Sequence, residues 1–582
     1  MSYGEDSKRK KRLAIIGVSS FLLVAMVVAV TVSIGFNNDG ESEDDINGKN
    51  HKSKEVSASM KAIKTLCQPT YYKQTCERSL AKSAGNTTDP KELIKIAFKL
   101  AEKQIDSASK KSLTLLELEK DPRTRGALNS CKELMTMSIN ELRSSLEKVA
   151  DFDFSQLDEL MADIKTWLSA AITYEETCLD AFENTTTNAG EKMKKALKTA
   201  MEMSSNGLDI VSGISSVLTD LQIPGVSRRL LQDDIPVAGH GDISQAFPAW
   251  IDPGTRRLLS APPSNIKPDL VVAKDGSGDY KTILEALPQI PKKSNETFVL
   301  YIKEGIYEEY VEFNRSMTNL VVIGDGPDKT RITGSKNFVD GINTYRTATV
   351  AVIGDNFVAR NIGFENSAGA IKHQAVALRV SSDYAVFYNC SMDGYQDTLY
   401  THAKRQFYRD CTVSGTIDFV FGDAPVVFQN CTFLVRKPLE NQQCIVTAQG
   451  RKARRQPSAI IIQNSTITAH PELEPVKDQY KSYLGRPWKE FSRTIIMETF
   501  IDDLIQPEGW SPWFGSFGLK TCWYGEYNNY GPGSDMKNRV KWNGIKPVSR
   551  QHAIDFTPGR FLRGDSWIKP TGVPYAPYLT RP

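Results

Sequence analysis

The spacing of apolar residues divides the chain into two parts with different periods. Between residues 55 and 220, apolar side chains recur every three or four positions with charged residues between them, as in 91–103, 127–149 and 191–203. This period predicts amphipathic helices. Proline is rare there, while Ala, Leu, Lys and Glu, which favour helices, are common. The segment is therefore predicted to be all-α, a four-helix bundle.

From about residue 267 the pattern changes to short runs of Val, Ile, Phe and Tyr between Gly, Asp and Asn. A six-residue unit recurs, and its third position is Asn361, Asn389, Asp410, Asn430 and Asn464 in turn. The successive spacings are 28, 21, 20 and 34 residues. Such a period predicts a solenoid, here a right-handed parallel β-helix over 267–582, and disfavours a β-sandwich.

The two parts are joined by a segment, 221–266, in which Pro and Gly interrupt any regular element. The tetrapeptide Arg-Arg-Leu-Leu occurs in it twice, at 228–231 and 256–259. Paired basic residues in an exposed linker favour cleavage by a subtilisin-like processing protease. A solvated charge pair is the alternative, but the repetition favours processing.

The N-terminus combines a basic tail, 1–12, with 24 uncharged residues at 13–36. A helix of that length spans about 36 Å, enough to cross a bilayer. Acidic residues follow, so the charge distribution places the tail in the cytosol and the remainder in the lumen. We expect a signal-anchor, with a cleaved signal peptide as the alternative.

Charge and cysteine content narrow the class further. A net charge of +3 over 582 residues gives no sign of a nucleic-acid binder. The nine cysteines permit disulfides in a lumenal protein, and their odd number leaves at least one outside any intramolecular bridge. Spacing alone leaves three pairings open for the first four cysteines. Seven N-glycosylation sequons fit the same compartment: Asn86, Asn184, Asn295, Asn314, Asn389, Asn430 and Asn464.

The solenoid repeat also aligns polar residues. Asp397 and Asp418 are 21 residues apart, as are Cys390 and Cys411, so the aspartates should occupy equivalent positions on adjacent coils. Gln374 and Gln396 should join them in one column. Two neighbouring carboxylates cannot both ionise freely, and amide donors beside them can stabilise an oxyanion. The set suits acyl transfer without a Ser-His pair; a structural polar ladder explains the spacing equally well.

Several motifs resemble plant pectin methylesterases. They are Gln-Asp-Thr-Leu-Tyr at 396–400, Asp-Phe-Val-Phe-Gly at 418–422, Leu-Gly-Arg-Pro-Trp at 484–488, Gly-Ile-Tyr-Glu-Glu at 305–309, Gln-Ala-Val-Ala-Leu at 374–378 and Thr-Ala-Gln-Gly-Arg at 447–451. The helical part is similar to the pectin methylesterase inhibitor domain that many of these enzymes carry as a pro-region. The resemblance implies a cell-wall enzyme that hydrolyses C6 methyl esters of homogalacturonan without cofactor or metal. It also implies regulation by the enzyme's own inhibitor-like domain.

The resemblance also implies roles for individual residues. Asp418 would be the nucleophile, Asp397 the proton donor and Gln396 the transition-state stabiliser. The substrate-binding residues would be Thr344, Gln374, Arg486 and Trp488, with Arg486 also holding Asp418 ionised. The implied disulfides are Cys67–Cys76, Cys131–Cys178 and Cys411–Cys431.

One departure from the family pattern, one basic cluster and two alternative functions remain to be considered. Asp423 stands where the family often has Asn, and a further carboxylate there could alter the working pH. The basic residues at 451–455 could attract acidic pectin or form a solvated loop. A polysaccharide lyase or retaining glycosidase could use two carboxylates on the same solenoid. A non-enzymatic inhibitor, with the helical bundle as its main product, is the third hypothesis.

Overall fold

The computed structural model describes residues 58–150, 157–220 and 267–581. The basic tail, the expected signal-anchor at 13–36 and the linker at 221–266 with both Arg-Arg-Leu-Leu sequences lie outside these residues. Within the described ranges, no helix is long and apolar enough to cross a membrane.

The N-terminal part is helical, as its period predicts. Its helices are α1 (Ala58–Cys67), α2 (Lys73–Ser83), α3 (Pro90–Leu118), α4 (Pro122–Ala150), α5 (Leu157–Asp180) and α6 (Ala189–Asp220). Pro90 and Pro122 occupy the first positions of α3 and α4, where a missing backbone N–H costs nothing because that group has no partner within the helix.

Two disulfides lie among these helices. Cys67 bonds to Cys76 between α1 and α2, and Cys131 bonds to Cys178 between α4 and α5. Both pairings implied by the family resemblance are therefore confirmed.

The chain from residue 270 is built from short strands. They are β1 (Leu270–Val272), β2 (Phe298–Ile302), β3 (Gly305–Glu308), β4 (Val311–Phe313), β5 (Leu320–Gly324), β6 (Thr330–Gly334), β7 (Val350–Val352), β8 (Val358–Arg360), β9 (Gly363–Asn366), β10 (Leu378–Val380), β11 (Ala385–Tyr388), β12 (Ser391–Asp393), β13 (Leu399–Thr401), β14 (Gln406–Arg409), β15 (Thr412–Gly415), β16 (Val420–Gly422), β17 (Pro425–Gln429), β18 (Thr432–Val435), β19 (Cys444–Gln449), β20 (Ala459–Gln463), β21 (Thr466–Ala469), β22 (Ser482–Gly485), β23 (Arg493–Met497), β24 (Phe500–Ile501), β25 (Trp523–Tyr527) and β26 (Ile545–Pro547). Short helices are α7 (Ile283–Ala286), α8 (Arg550–Asp555) and α9 (Pro558–Phe561).

These strands form three parallel sheets. Their orders are β1-β2-β5-β8-β11-β14-β17-β20-β23-β25-β26, β4-β7-β10-β13-β16-β19-β22 and β3-β6-β9-β12-β15-β18-β21-β24. From β2 to β23, consecutive strands of one sheet are separated in sequence by strands of the other two, so each complete coil adds one strand to each sheet. The predicted parallel β-helix is thus confirmed, and the seven-stranded sheet carries the candidate site.

The recurring Asn or Asp has a conformational cause. Asn361, Asn389, Asp410, Asn430 and Asn464 all have a left-handed backbone, with φ between 47° and 58°. Asn and Asp tolerate this conformation better than other side chains with a Cβ. The side chains also bond from coil to coil, at 2.7 Å from Asn389 Nδ2 to Asn361 Oδ1 and from Asn430 Nδ2 to Asp410 Oδ1. The sequence repeat therefore marks the same corner in successive coils.

Side chains also stack inside the β-helix, because the register is one residue to one residue. Phe387, Tyr408 and Phe428 are partners in β11, β14 and β17. Their ring centroids follow one another at 4.8 Å and 4.6 Å. All three residues are fully buried, so aromatic stacking adds to the apolar surface removed from water.

Cys390, Cys411 and Cys431 stack in the same way, one position before strands β12, β15 and β18. All three are free and buried, so the predicted Cys411–Cys431 disulfide is wrong for this structure. In-register neighbours in a parallel stack lie roughly 4.8 Å apart, whereas a disulfide holds its two Cβ atoms about 3.8 Å apart. The Cys411 thiol instead donates to the carbonyl of Arg409 at 3.3 Å.

The chain divides into two compact units. Of the described residues, the first contains 58–107, 142–150, 157–168 and 196–220, and the second contains 108–141, 169–195 and 267–581. The second unit therefore includes the β-helix together with the adjoining parts of α4 and α5, and the candidate site lies entirely within it.

Candidate active site

Asp397 and Asp418 occupy equivalent positions on neighbouring coils, as their 21-residue spacing predicts. Each stands two residues before a strand of the seven-stranded sheet, and the following Leu399 and Val420 are register partners in β13 and β16. The Asp397 N–H donates to the carbonyl of Ile417 at 3.0 Å. Both aspartates have a left-handed backbone, with φ of 62° and 51°.

Arg486 distinguishes the two carboxylates. It follows β22 and contacts Asp418 through two parallel hydrogen bonds, from Nε to Oδ1 at 2.8 Å and from Nη2 to Oδ2 at 2.5 Å. This bidentate geometry is the strongest form of carboxylate recognition by a side chain. The same guanidinium lies over the ring of Trp513, 4.3 Å from its centroid. Asp418 is therefore oriented by a cation that is itself held in place.

The surroundings of the two carboxylates affect their pKa values unequally. Burial raises the pKa of Asp397 well above its usual range, and the neighbouring Asp418 charge raises it further. Burial raises the pKa of Asp418 too, but the charge and hydrogen bonds of Arg486 oppose that shift. Asp418 is consequently the carboxylate that ionises first, and Asp397 is the one that retains a proton.

One cleft of about 760 Å³ brings the predicted residues together. Besides the two aspartates and Arg486, it is lined by Thr344, Gln374, Gln396 and Trp488. Thr344 begins a short 3-10 helix at Thr344–Arg346. The column predicted from spacing therefore faces a single cavity that also contains the residues proposed from the motifs.

The cleft includes aromatic residues that the sequence analysis missed. Tyr400 and Phe421, partners in β13 and β16, stack with ring centroids 4.2 Å apart. Trp488 meets the Phe421 ring edge-on at 5.8 Å. Trp513, Phe514 and Phe517 line the cleft from a loop, and the Phe514 side chain is 82% exposed. Three aromatic residues within five positions beside Gly515 were a usable signal for a sugar-binding surface.

Residues of the helical part line the same cleft within the second unit. Thr177 and Asp180 of α5, with Ala181 and Glu183 just after it, lie among the lining residues. Lys489, adjacent to Trp488, has its Nζ 2.6 Å from Asp180 Oδ1 and 3.5 Å from Glu176 Oε2. The end of α5 thus covers the cleft through ion pairs with a residue next to a predicted binding residue.

Asp423 is fully enclosed. It accepts hydrogen bonds from Thr173 Oγ1 at 2.7 Å, Gln449 Nε2 at 3.1 Å and Gln456 Nε2 at 2.5 Å, and Ser458 Oγ also donates to it. Burial raises its pKa to about 6, even though these donors lower it. It is not among the residues that line the cleft, whereas Lys452 of the basic segment is.

The chain thus combines a parallel β-helix with a buried aspartate pair, one member of which is fixed by an arginine. The pectinesterase family profile matches residues 269–565, and the profile of the plant invertase/pectin methylesterase inhibitor family matches residues 61–210. The chain belongs to the pectinesterase family and is a carboxylic ester hydrolase acting on pectin.

Relatives extend over nearly the whole chain. The Arabidopsis thaliana protein named "Probable pectinesterase/pectinesterase inhibitor 21" is 57% identical over 581 residues, covering 99% of this chain and 84% of its own. Pectinesterase/pectinesterase inhibitor U1 of Solanum lycopersicum is 40% identical over 588 residues, covering 98% of this chain and 97% of its own. The solved pectin methylesterase from carrot is 48% identical, with a TM-score of 0.54, and matches 54% of this chain and 99% of its own.

Proposed function

We propose that the protein hydrolyses the C6 methyl esters of homogalacturonan with Asp418 as nucleophile and Asp397 as acid and base. The observation that carries this assignment is the bidentate contact of Arg486 with Asp418 and not with Asp397. An ionised carboxylate can attack a carbonyl carbon, whereas a protonated one can donate to a leaving alkoxide. The two roles thus follow from the asymmetry of the pair.

The reaction proceeds in two halves. An Asp418 oxygen adds to the ester carbonyl, and the amides of Gln396 and Gln374 donate to the resulting oxyanion. The bond to the methoxy group then breaks, and methanol leaves with the proton of Asp397. A water molecule next attacks the acyl–Asp418 anhydride while Asp397 takes its proton. Hydrolysis regenerates Asp418 as a carboxylate and leaves Asp397 protonated. The product leaves as galacturonic acid, which then loses its proton to solvent.

The remaining lining residues would hold the polysaccharide. Trp488 offers an aromatic face to a sugar ring, and Thr344 offers a hydroxyl at the edge of the cleft. Tyr400 and Phe421 form the apolar floor between them and the aspartates. This division matches the general pattern of a largely apolar site with a few placed polar groups.

Methanol release from pectin tests the assignment. We expect Asp418→Ala to abolish it and Asp397→Asn to reduce it by at least about a hundredfold, the usual contribution of a general acid. Asp410→Asn is the matched control, because that residue belongs to the same repeat but lies at the Asn/Asp corner, where other coils carry Asn. Full activity in Asp418→Ala would disprove the assignment of Asp418 as the nucleophile.

We further propose that the end of α5 inhibits the intact chain until the linker is cut. The supporting contacts are those of Asp180 and Glu176 with Lys489 at the cleft. Cleavage at one of the Arg-Arg-Leu-Leu sequences by a subtilisin-like protease would separate the helical segment, 55–220, from the catalytic segment, 267–582. N-terminal sequencing of the wall-extracted protein tests this: an N-terminus after neither tetrapeptide would contradict it.

The destination we propose is the cell wall, reached by a precursor inserted in the membrane through residues 13–36. The charge distribution around that segment, the sequons and the two disulfides support a secreted glycoprotein. Alkaline extraction of membranes separates an inserted precursor from a soluble one. Recovery of the whole precursor in the soluble fraction would rule out the anchor.

A further inference from the structure

The ion pairs between the helices and the β-helix in the second unit have a common direction. Glu133 of α4 contacts Arg346, and Glu141 of α4 contacts Arg315 and Lys404. On α5, Asp180 contacts Lys489. In each of these pairs the helix supplies the carboxylate and the β-helix supplies the cation. Within this unit, α4 and α5 therefore contact the cations of the β-helix through carboxylates.

The site around Glu141 is the most enclosed of these. Its Oε1 lies 2.5 Å from Arg315 Nη1 and 3.1 Å from Lys404 Nζ, so one carboxylate oxygen receives both cations. The side chains of Lys404 and Glu141 are 0% and 2% exposed. The Arg315 side chain is 33% exposed and connects the site with solvent.

The β-helix fixes Lys404 without help from the helix. Lys404 Nζ lies 3.0 Å from Asp355 Oδ1, and that oxygen also accepts the N–H of Asp383 at 2.8 Å. Asp383 in turn is held by two hydrogen bonds from Arg405, at 2.8 Å and 2.6 Å. Arg405 neutralises Asp383, so Asp383 does not offset the charge of Lys404. Removal of Glu141 would then leave two cations, Arg315 and Lys404, beside the single carboxylate of Asp355. The result is a preformed site with a net positive charge of one.

This site is separate from the catalytic pair. Asp397 precedes β13 and Lys404 follows it, so the three residues of the strand, about 10 Å, lie between them. Glu133 and Glu141 are eight residues, or about 12 Å, apart along α4. Glu133 contacts Arg346, whose neighbour Tyr345 lines the cleft. The cations that pair with α4 therefore extend from Arg346, next to the cleft, to Arg315 and Lys404 further along the helix.

We propose that Arg315 and Lys404 form a second carboxylate-binding site, which Glu141 fills in the intact chain and for which a free galacturonate carboxylate competes. The ligand class rests on the proposed function, since each ester hydrolysed there leaves one carboxylate on the polymer. A buried cation pair with one acceptor prefers such an anion to a neutral methyl ester. The site would retain the de-esterified side of the substrate while the esterified side occupies the cleft.

The first test uses the intact chain and acetate as the smallest carboxylate. Glu141→Ala empties the site, and we expect acetate to raise its thermal midpoint relative to chloride at equal ionic strength. Arg315→Gln in the same background should abolish the difference; since Arg315 is partly exposed, this change should leave the fold intact. Glu92→Gln, which removes a carboxylate from an exposed helix pair with Lys95, is the charge-matched control. No acetate effect in Glu141→Ala would overturn the proposal.

The second test identifies the ligand, in an Asp418→Asn background so that no turnover is needed. Calorimetry is carried out with trigalacturonate and with its methyl ester. Trigalacturonate should bind about tenfold more tightly to Glu141→Gln than to the chain that keeps Glu141, because one charge-assisted contact is gained. The gain should vanish in Glu141→Gln/Arg315→Gln. A gain that persists without Arg315 would overturn the galacturonan assignment. Methanol release by the unmodified chain is measured separately, so absent esterase activity and an absent second site remain distinguishable.

Discussion

At the scale of single residues, Arg486 is what makes two similar aspartates different. Both are buried, both have a left-handed backbone, and both face the same cleft. Burial raises the pKa of both aspartates. Arg486 opposes this rise at Asp418, whereas the negative charge of Asp418 raises the pKa of Asp397 further. The carboxylate that we propose as nucleophile is therefore distinguished by a residue 68 positions further along the chain.

Arg486→Lys should shift the acidic limb of the kcat/KM profile to higher pH. Lysine cannot reproduce the bidentate contact, so the pKa of Asp418 rises and less of it is ionised in acid. We expect on the order of tenfold loss at pH 5, partly recovered on raising the pH. Arg436→Lys, which alters an ion pair with Glu472, is the control. A uniform loss at all pH values would mean that Arg486 acts only in packing.

Asp423 gives a second pH-dependent prediction, in stability. Its folded pKa of about 6 exceeds the ordinary value of 3.8, so between these values the unfolded chain has lost a proton that the folded chain keeps. The contribution of Asp423 to stability is therefore present below pH 4 and falls as the pH rises to about 6, by up to about 3 kcal/mol. The unfolding free energy of the wild type minus that of Asp423→Asn should decline over this range. A constant difference would contradict the raised pKa.

At the scale of elements, the corner formed by Asn and Asp sets the period of the β-helix. Each coil requires one residue with positive φ at that corner, and the side chains then bond from one coil to the next. This double requirement explains why the repeat is visible in the sequence although the strands themselves are only two to six residues long.

Asn389 allows the two requirements to be separated. Asn389→Ala loses both the favoured left-handed backbone and the bond to Asn361, and should cost about 2 kcal/mol in urea unfolding. Asn389→Gly restores the backbone freedom but not the bond, so it should recover part of that loss. Equal destabilisation by the two variants would show that the backbone conformation costs nothing at this corner.

The state of the cysteines predicts how many free thiols the chain contains. With disulfides at Cys67–Cys76 and Cys131–Cys178 and five free cysteines, the denatured chain should titrate five thiols without reductant. Because Cys390, Cys411 and Cys431 are buried, the folded chain should react far more slowly. A count of three thiols in the denatured chain would indicate a third disulfide, the Cys411–Cys431 bridge that the family resemblance implies.

At the scale of the molecule, the parts of α4 and α5 in the second unit form ion pairs with the β-helix through their carboxylates. Glu176→Gln/Asp180→Asn removes both partners of Lys489 and leaves that cation without its helix contacts. These ion pairs are only partly buried, so each contributes on the order of 1 kcal/mol, and methanol release by the intact chain should rise by about tenfold. Glu191→Gln, in the first turn of α6, is the control. Unchanged activity would contradict inhibition by α5.

The sequence by itself determined the helical half, the coil spacing and hence the adjacency of Asp397 and Asp418, because in a solenoid the distance along the chain maps directly onto the strand register. Through the family resemblance it also supplied Thr344, Arg486 and Trp488, which line the same cleft. Only the tertiary structure decided that Asp423 is buried under Thr173, that the loop with Phe514 reaches the cleft, and that Cys411 and Cys431 stay reduced. These features depend on contacts between segments with no common period, or on a difference of about 1 Å in the distance between side chains, and neither leaves a trace in the pattern of residues.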